Sequence, residues 1–294
     1  MSATTIESAY SAQQFRLFRV LFGAYLTFHF GLLSRDAAEV FSRDGMLPDA
    51  TLNPTARVFP SPLLHWDAPE QVEAFTLSLA AFSFCIAAGI HRRVVAPLVW
   101  YGLACLFNRN VLTSNPSLAF VGWLLLALTL IPEGEGLCLR PTQKGARFSL
   151  PPLLYWGAFY LAALGYTASG LHKLSAPSWR DGSALSHVLS IPLARDVPWR
   201  TWFVSLDPLL LRFLSWGALA AECLYLPLAL FRSTRPLAWL SMVLMHLGIL
   251  CFIDFADLTC AMLLLHLFLF DPRWRSLPWL QRLSRSVWPT RALP

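Results

Sequence analysis

Long apolar segments separated by short polar ones constrain the fold of this chain more than any other feature. Hydrophobic residues make up 56% of the sequence and charged residues only 14%. A transmembrane helix needs about 20 mostly apolar residues, and eight segments approach that length. They lie near residues 15–34, 71–90, 94–112, 116–132, 151–172, 208–231, 236–253 and 256–270. The sequence therefore predicts an all-α, polytopic membrane helical bundle of about eight transmembrane helices.

The basic residues predict how these helices are oriented. Cytoplasmic loops are enriched in Lys and Arg, and most of the 23 basic residues fall on one side when both termini are cytoplasmic. This N-in/C-in arrangement gives a cytoplasmic segment (1–14), a transmembrane domain (15–270) and a basic interfacial tail (271–294). The tail predicts contact with anionic lipid of a bacterial inner membrane rather than with nucleic acid. Lys173 then lies on the outer side.

Lys173 is the residue with the most informative placement. The chain has two lysines and 21 arginines, and a buried amine can lose its charge whereas a guanidinium keeps it. A stripe of small residues, continued by His172, predicts a closely packed helix face that directs Lys173 into the bundle. The stripe consists of Ala158, Ala162, Gly165 and Ser169. Lys173 is thus a candidate general base, and the alternative is a lysine that extends to the outer interface.

Other polar residues within the apolar segments are candidates to line an outward-facing cavity with Lys173. Ionisable side chains inside a bilayer are costly, so a functional role is the first hypothesis for each. These residues are Asn115, Arg109, Arg212, Glu222 and His246. For Glu222, a structural hydrogen bond to a neighbouring helix is an equal alternative. His246 together with His266 also allows a bis-histidine haem, which makes a redox protein a further hypothesis.

Several enzyme classes have no motif in this sequence. It contains no His-Glu-x-x-His, no nucleophile elbow and no glycine loop of the kind that cradles phosphates. The six cysteines include no Cys-x-x-Cys pair, so no metal site is predicted. Whether Cys251 and Cys260 form a disulfide stays open, because sequence does not give their separation.

A motif around Lys173 resembles one known family. The run Ser169-Gly-Leu-His-Lys-Leu174 is followed by Trp179, Gly182 and Ala184. It is similar to the horizontally transferred transmembrane domain (HTTM) proteins, whose best-understood members are the vitamin K-dependent gamma-glutamyl carboxylases. Their pattern is Ala-Gly-Val-Lys-Lys-Leu, then Trp and Gly, so Lys173 falls on the family's catalytic lysine. Weaker matches, from Arg19-Val-Leu-Phe-Gly23 to His246, extend the resemblance over most of residues 15–270.

The resemblance implies a lyase-like enzyme that works on a reduced naphthoquinone of the vitamin K or menaquinol type. In such enzymes the neutral lysine takes a proton from the quinol, and oxygen then adds to give a stronger base. That base removes a proton from the gamma carbon of a peptide glutamate, which captures carbon dioxide. Transferred to this chain, the chemistry assigns catalysis to Lys173 with its neighbour His172, and a supporting position to Trp179.

Two features differ from the carboxylase pattern. This chain has Asn115-Pro116-Ser117 where the carboxylases have Asn-His-Ser, and no large extracytoplasmic domain follows residue 270. We therefore expect quinol-linked base catalysis on a lipid-linked substrate or a secreted peptide, the latter with a separate soluble subunit as a candidate partner. The alternative hypothesis is a non-enzymatic membrane partner in the maturation, export or immunity of a secreted peptide, with Lys173 anchoring the adjacent loop.

Overall fold

The computed structural model describes residues 6–56, 58–137 and 148–278. Within these ranges the regular structure is helical, which confirms the predicted all-α fold, and the one β-bridge joins Ala194 and Ile253. The α-helices of the described ranges are α1 (Ile6–Ala9), α2 (Ala12–Leu33), α3 (Ala37–Phe41), α4 (Pro69–Ala88), α5 (Arg92–Arg109), α6 (Leu118–Leu130), α7 (Pro152–Lys173), α8 (Pro177–Arg180), α9 (Ala184–Val188), α10 (Pro198–Val204), α11 (Pro208–Cys223), α12 (Tyr225–Leu230), α13 (Arg235–Phe252) and α14 (Ala256–Phe268). Short 3-10 helices cover Ala50–Leu52, Pro62–Leu64, Val111–Thr113 and Pro272–Ser276.

The prediction of about eight transmembrane helices is wrong for the described residues. Two single helices, α4 and α13, are long and apolar enough to cross a membrane, each with a mean hydropathy of 1.5. The pair α10 and α11, bent by 103°, makes a third if it counts as one span.

The other predicted spans fail for separate physical reasons. Helices α6 and α14 have 13 residues each, well short of the ~20 that a bilayer requires. Helix α2 carries Arg16 and Arg19, and α5 carries three arginines. Helix α7 has 22 residues, but tyrosine, tryptophan and glycine interrupt its apolar sequence. The interfacial tail beyond residue 278 lies outside the described residues, as does Cys138.

One of two structural units comprises residues 11–149 and 260–268. In it, α2 packs against α4, and α5 packs against both α4 and α6. Gly23 allows the first contact, because a Cβ at this position would lie 2.7 Å from the Ala87 Cα atom. Buried Phe15, Phe18 and Phe22 follow one face of α2, with rings 5.4 to 6.1 Å apart between neighbours.

A fully buried charge cluster joins the helix ends of this unit. The Arg19 guanidinium donates hydrogen bonds to the carbonyls of Ile86 (2.6 Å) and Ala87 (2.7 Å), in the last turn of α4. Arg92 donates to the Leu128 carbonyl, in the last turn of α6. Glu135 lies between the two guanidinium groups, 3.4 Å from Arg19 Nε and 2.8 Å from Arg92 Nε.

The charges of this cluster nearly cancel. Two guanidinium groups and one carboxylate leave a net charge of +1, and a helix C-terminus behaves as roughly half a negative charge. Helices α4 and α6 both end at the arginines. Their two C-terminal dipoles together therefore supply about the one negative charge that the cluster lacks. This balance explains how two arginines and a glutamate are accommodated at a buried position.

The other unit comprises residues 1–10, 150–259 and 269–294, and its described part centres on α7. Helix α7 packs against α11 and α12, and α11 packs against α9 and α13. The segment after α7 includes the short helix α9, with Ala184 buried at its start. The chain then pairs with the end of α13, where Arg195 N donates to the Phe252 carbonyl and Asp254 N to the Leu193 carbonyl.

Removal of the Glu135 carboxylate is expected to destabilise the protein strongly. In Glu135→Gln the two buried guanidinium groups lose their counter-charge, and breaking a buried ion pair costs about 3 to 5 kcal/mol. Thermal unfolding of the purified protein measures the loss. Glu133→Gln is the matched control, because Glu133 is exposed two residues earlier. Equal melting temperatures for the two variants would contradict the electrostatic role of Glu135.

Candidate functional site

The centre of the candidate site is an ion pair between α7 and α11. Lys173 Nζ lies 2.6 Å from Glu222 Oε1 and 2.7 Å from Glu222 Oε2, so the ammonium donates to both carboxylate oxygens. The Lys173 side chain is 29% exposed, and the Glu222 side chain 4%. The lysine of the pair is therefore partly accessible, whereas the glutamate is buried.

The face of α7 that meets α11 differs from the predicted stripe. Ala158 and Ala162 are buried as predicted, but Gly165, Ser169 and His172 are exposed. The buried face near the ion pair instead follows Phe159, Ala163, Tyr166 and Gly170, which are spaced by four, three and four residues. Lys173 continues this face by another three residues. Lys173 thus points towards the neighbouring helix, but the buried stripe that it continues lies one residue later in the sequence than the predicted stripe.

Gly170 brings the two helices close enough for the ion pair to form. A Cβ atom at this position would lie 2.7 Å from Cys223 N and 2.9 Å from Glu222 Cβ. No side chain fits in that space, so the backbones of α7 and α11 meet directly. Next to this contact, the Glu222 carboxylate reaches the Lys173 amine.

Two further side chains complete the surroundings of the ion pair. Ser169 donates its hydroxyl to Glu222 Oε2 at 3.3 Å, from one turn below Lys173 on α7. On α8, the ring of Trp179 faces the ammonium, with Nζ 4.8 Å from the ring centroid. Such a cation–π contact is worth about 0.5 to 2 kcal/mol. The ammonium thus has a carboxylate on one side and an aromatic face on another.

Deeper along α7, a second polar contact connects to α13. The Tyr166 hydroxyl lies 2.8 Å from His246 Nε2, and both side chains are buried. A haem iron bound to Nε2 would have to replace this hydrogen bond. Thr167 links α7 to the break between α11 and α12, since its hydroxyl accepts from Leu226 N (3.0 Å) and donates to the Glu222 carbonyl (3.3 Å).

Arg212 and His172 lie at the edge of this unit. Both are exposed. Arg212 lies against Gly182, whose positive φ of 82° forms the turn before α9. Hydrogen bonds from Ser183, with a smaller contribution from the Arg212 charge, lower the pKa of Asp181 in the same turn. Arg212 of α11 therefore packs against the segment that connects α7 to α9.

Arg109 and Asn115 belong to the unit that contains α2 to α6. Arg109 is buried, donates to the Leu47 carbonyl at 2.7 Å and lies 3.7 Å from Asp67. It therefore fixes the chain between α3 and α4 to the end of α5. Asn115 accepts hydrogen bonds at its Oδ1 from the backbone and the hydroxyl of Ser117, at 2.9 and 2.5 Å, just before α6. Both side chains thus make structural contacts within this unit.

The thiols and carboxylates do not assemble into a metal site in the part of the chain that the structure covers. No group of three or more His, Cys, Asp or Glu side chains is close enough there to hold an ion. The cysteines of the same ranges are thiols, among them Cys251, which is exposed. The nearest thiol to the ion pair is that of Cys223, which follows Glu222 in α11.

Comparisons of this chain with protein-family models, with curated proteins and with solved structures find no match.

The close approach at Gly170 leads to a test of the site's geometry. In Gly170→Ala the added methyl group would collide with the backbone of α11, and overpacking of this kind costs about 1 to 3 kcal/mol. We expect a lower melting temperature and a disturbed ion pair. Gly217→Ala on α11 is the matched control, because a Cβ there meets nothing within 4 Å, and helix propensity predicts a gain of roughly 0.5 to 1 kcal/mol. A neutral effect of Gly170→Ala would contradict the close contact.

Proposed function

We propose that this chain is an integral membrane protein of the HTTM type, in which Lys173 acts as the general base on a lipophilic quinol. The observation that carries the proposal is the partly exposed Lys173 amine, held by a buried carboxylate at 2.6 Å on an adjacent apolar helix. A proton-transfer group needs both access to substrate and a defined position, and this amine has both.

The apolar surface supports the membrane part of the proposal. In the most apolar window of α13 only 22% of the residues are buried inside the protein, and in that of α4 only 33%. The exposed side chains of α11 and α13 include many large hydrophobic residues. They are Leu209, Leu210, Phe213, Leu214, Trp216, Leu237, Leu240, Leu244 and Leu247. Exposed apolar surface of this extent is unfavourable in water, and a lipid environment removes that cost.

The packing of the motif residues supports the resemblance to the HTTM proteins. Trp179 faces the Lys173 ammonium, and Gly182 occupies a left-handed turn where a Cβ would lie 3.0 Å from Arg212 Cβ. Ala184 is buried at the start of α9. Trp179, Gly182 and Ala184 of the motif thus each have a structural reason to be of their type.

A quinol suits the chemistry of the residues around Lys173. Its aromatic ring matches the apolar face of Trp179, and its hydroxyl group is a proton donor for an amine. When bound, the quinol supplies an acidic hydroxyl and an electron-rich ring that reacts with oxygen. Lys173 accepts the hydroxyl proton at Nζ, Glu222 and Ser169 hold the amine in place, and Trp179 limits its access to water.

A non-enzymatic role is the second candidate, and the double contact of the ion pair favours it. Two hydrogen bonds to one ammonium, together with the Gly170 contact, clamp α7 to α11. The outer segment that begins at Leu174 would then be a binding surface for a secreted peptide or a soluble subunit, with the clamp as its support.

Quinol oxygenation separates the two candidates. The purified protein is supplied with reduced menaquinone and oxygen, and oxygen uptake and the quinone epoxide are measured for wild type, Lys173→Ala and Lys173→Arg. We expect epoxide from the wild type and at least a 100-fold lower rate from both variants, because general acid–base groups contribute about 10² to 10⁴. Arginine preserves the positive charge but does not release its proton.

The two arms of this experiment give opposite results for the two candidates. If the clamp alone matters, Lys173→Arg keeps the ion pair and behaves like the wild type in thermal unfolding, and no form of the protein makes epoxide. Epoxide formation that survives in well-folded Lys173→Ala would contradict the assignment of the base to Lys173.

A further inference from the structure

Glu222 is placed to do more than hold Lys173 in position. The carboxylate is almost completely buried, whereas the amine is in part exposed, so a substrate reaches the lysine first. We propose that the two residues form one proton-sharing unit, in which Glu222 takes up the proton that Lys173 releases. The chemical use of this unit rests on the proposed function, but the unit itself follows from the geometry of α7 and α11.

The helix dipoles disfavour the negative charge of Glu222 and favour the positive charge of Lys173. Glu222 is the penultimate residue of α11, where the C-terminal end of the helix dipole disfavours a negative charge. Lys173 is the last residue of α7, where the same effect favours a positive charge. The ammonium therefore stabilises a carboxylate that the local helix does not.

No other cation among the described residues makes a salt bridge with Glu222. The titratable groups that face the pair are Tyr166 from α7, Cys223 from α11 and His246 from α13. The tyrosine and the thiol carry no positive charge in any state, and His246 shares its Nε2 with the Tyr166 hydroxyl. If Lys173 becomes neutral, the buried carboxylate has lost its counter-charge, and protonation is the least costly way to restore neutrality.

The proton transfer can be written with all atoms balanced. The Lys173 Nζ–H bond breaks as the Glu222 Oε1–H bond forms, along the 2.6 Å hydrogen bond. The site changes from an ammonium and a carboxylate to an amine and a carboxylic acid, and its net charge stays at zero. An apolar substrate that covers the exposed part of Lys173 favours this neutral form, because removal of water disfavours both charges. Glu222 is thus a positioning residue that sets the protonation of the base.

Infrared spectroscopy of Lys173→Met tests whether Glu222 takes up a proton when the lysine charge is absent, and it needs no quinol. At neutral pH we expect a carboxylic-acid C=O band that is absent from the wild type and shifts in heavy water. The band should disappear in the double variant Lys173→Met/Glu222→Gln, which assigns it to Glu222. Lys173→Arg is the matched control, because its permanent charge keeps Glu222 ionised. A folded Lys173→Met without the band would overturn the proposal.

Amine labelling provides an independent arm if Lys173→Met does not fold. The chain has only two lysines, so acetic anhydride labelling of Lys173 can be scored by mass spectrometry with Lys144 as internal reference. At neutral pH we expect Glu222→Gln to increase Lys173 labelling at least about tenfold over the wild type, because the amine then loses both hydrogen bonds to the carboxylate. Glu222→Asp should stay close to the wild type, and equal labelling in all three forms would overturn the proposal.

These outcomes are distinct from those of the oxygenation experiment. Epoxide formation without the infrared band or the labelling change would leave Lys173 as a base that acts without Glu222. The band and the labelling change without epoxide would establish the proton-sharing unit and remove quinol oxygenation as its purpose.

Discussion

The second unit of the protein depends on one physical constraint, which is that the buried Glu222 carboxylate must be neutralised. The structure meets it by bringing Lys173 within 2.6 Å, and three features of the sequence make that approach possible. Gly170 removes the side chain that would separate α7 from α11. The Thr167 hydroxyl accepts a hydrogen bond from a backbone N–H at the break between α11 and α12. Ser169 donates a hydrogen bond to the second carboxylate oxygen. Local packing and electrostatics thus support the same contact.

The first unit solves the same problem with arginine. Arg19 and Arg92 are buried against helix C-termini, with Glu135 between them, and Arg109 donates to backbone carbonyls beside α5. A guanidinium offers five donors in a rigid plane and does not lose its charge. It therefore suits a permanent structural bridge between helix ends. The lysine at position 173 makes a one-to-one pair with a carboxylate, and a proton can leave such a pair. This contrast within one chain supports the assignment of chemistry to Lys173.

Much of the fold could be predicted from the sequence, because hydrophobic segments directly indicate helices. The bounds of α4 and α13 lie within a few residues of the predicted segments 71–90 and 236–253. The number of spans could not be predicted in the same way. Segments with arginines that bind helix ends, such as α2 and α5, were counted as spans, and 13-residue apolar helices such as α6 and α14 look like short spans. Both distinctions depend on contacts between segments that lie far apart in the chain.

The site was predictable only in part, for a similar reason. The inward direction of Lys173 follows from the periodicity of α7, yet small residues occur on two adjacent faces, and the choice between Ser169 and Gly170 needs the partner helix. His172 was assigned to the wrong face on the same ground. One signal did point to the pairing: Glu222 is the only acidic residue of α11, and Lys173 the only lysine of α7. The need to balance charge between apolar helices would have predicted that these two residues form an ion pair.

The most direct test of this account is a magnetic-resonance distance measurement across the ion pair in lipid vesicles. With ¹⁵N in the lysine side chains and ¹³C in the glutamate carboxyl groups, the two lysines give two Nζ signals that a Lys144→Arg variant assigns. The ion pair predicts strong dipolar coupling of the Lys173 signal to a carboxyl carbon, and the loss of this coupling in Glu222→Gln. A Lys173 signal with no coupling to any glutamate carboxyl would contradict the pairing on which the proposed chemistry depends.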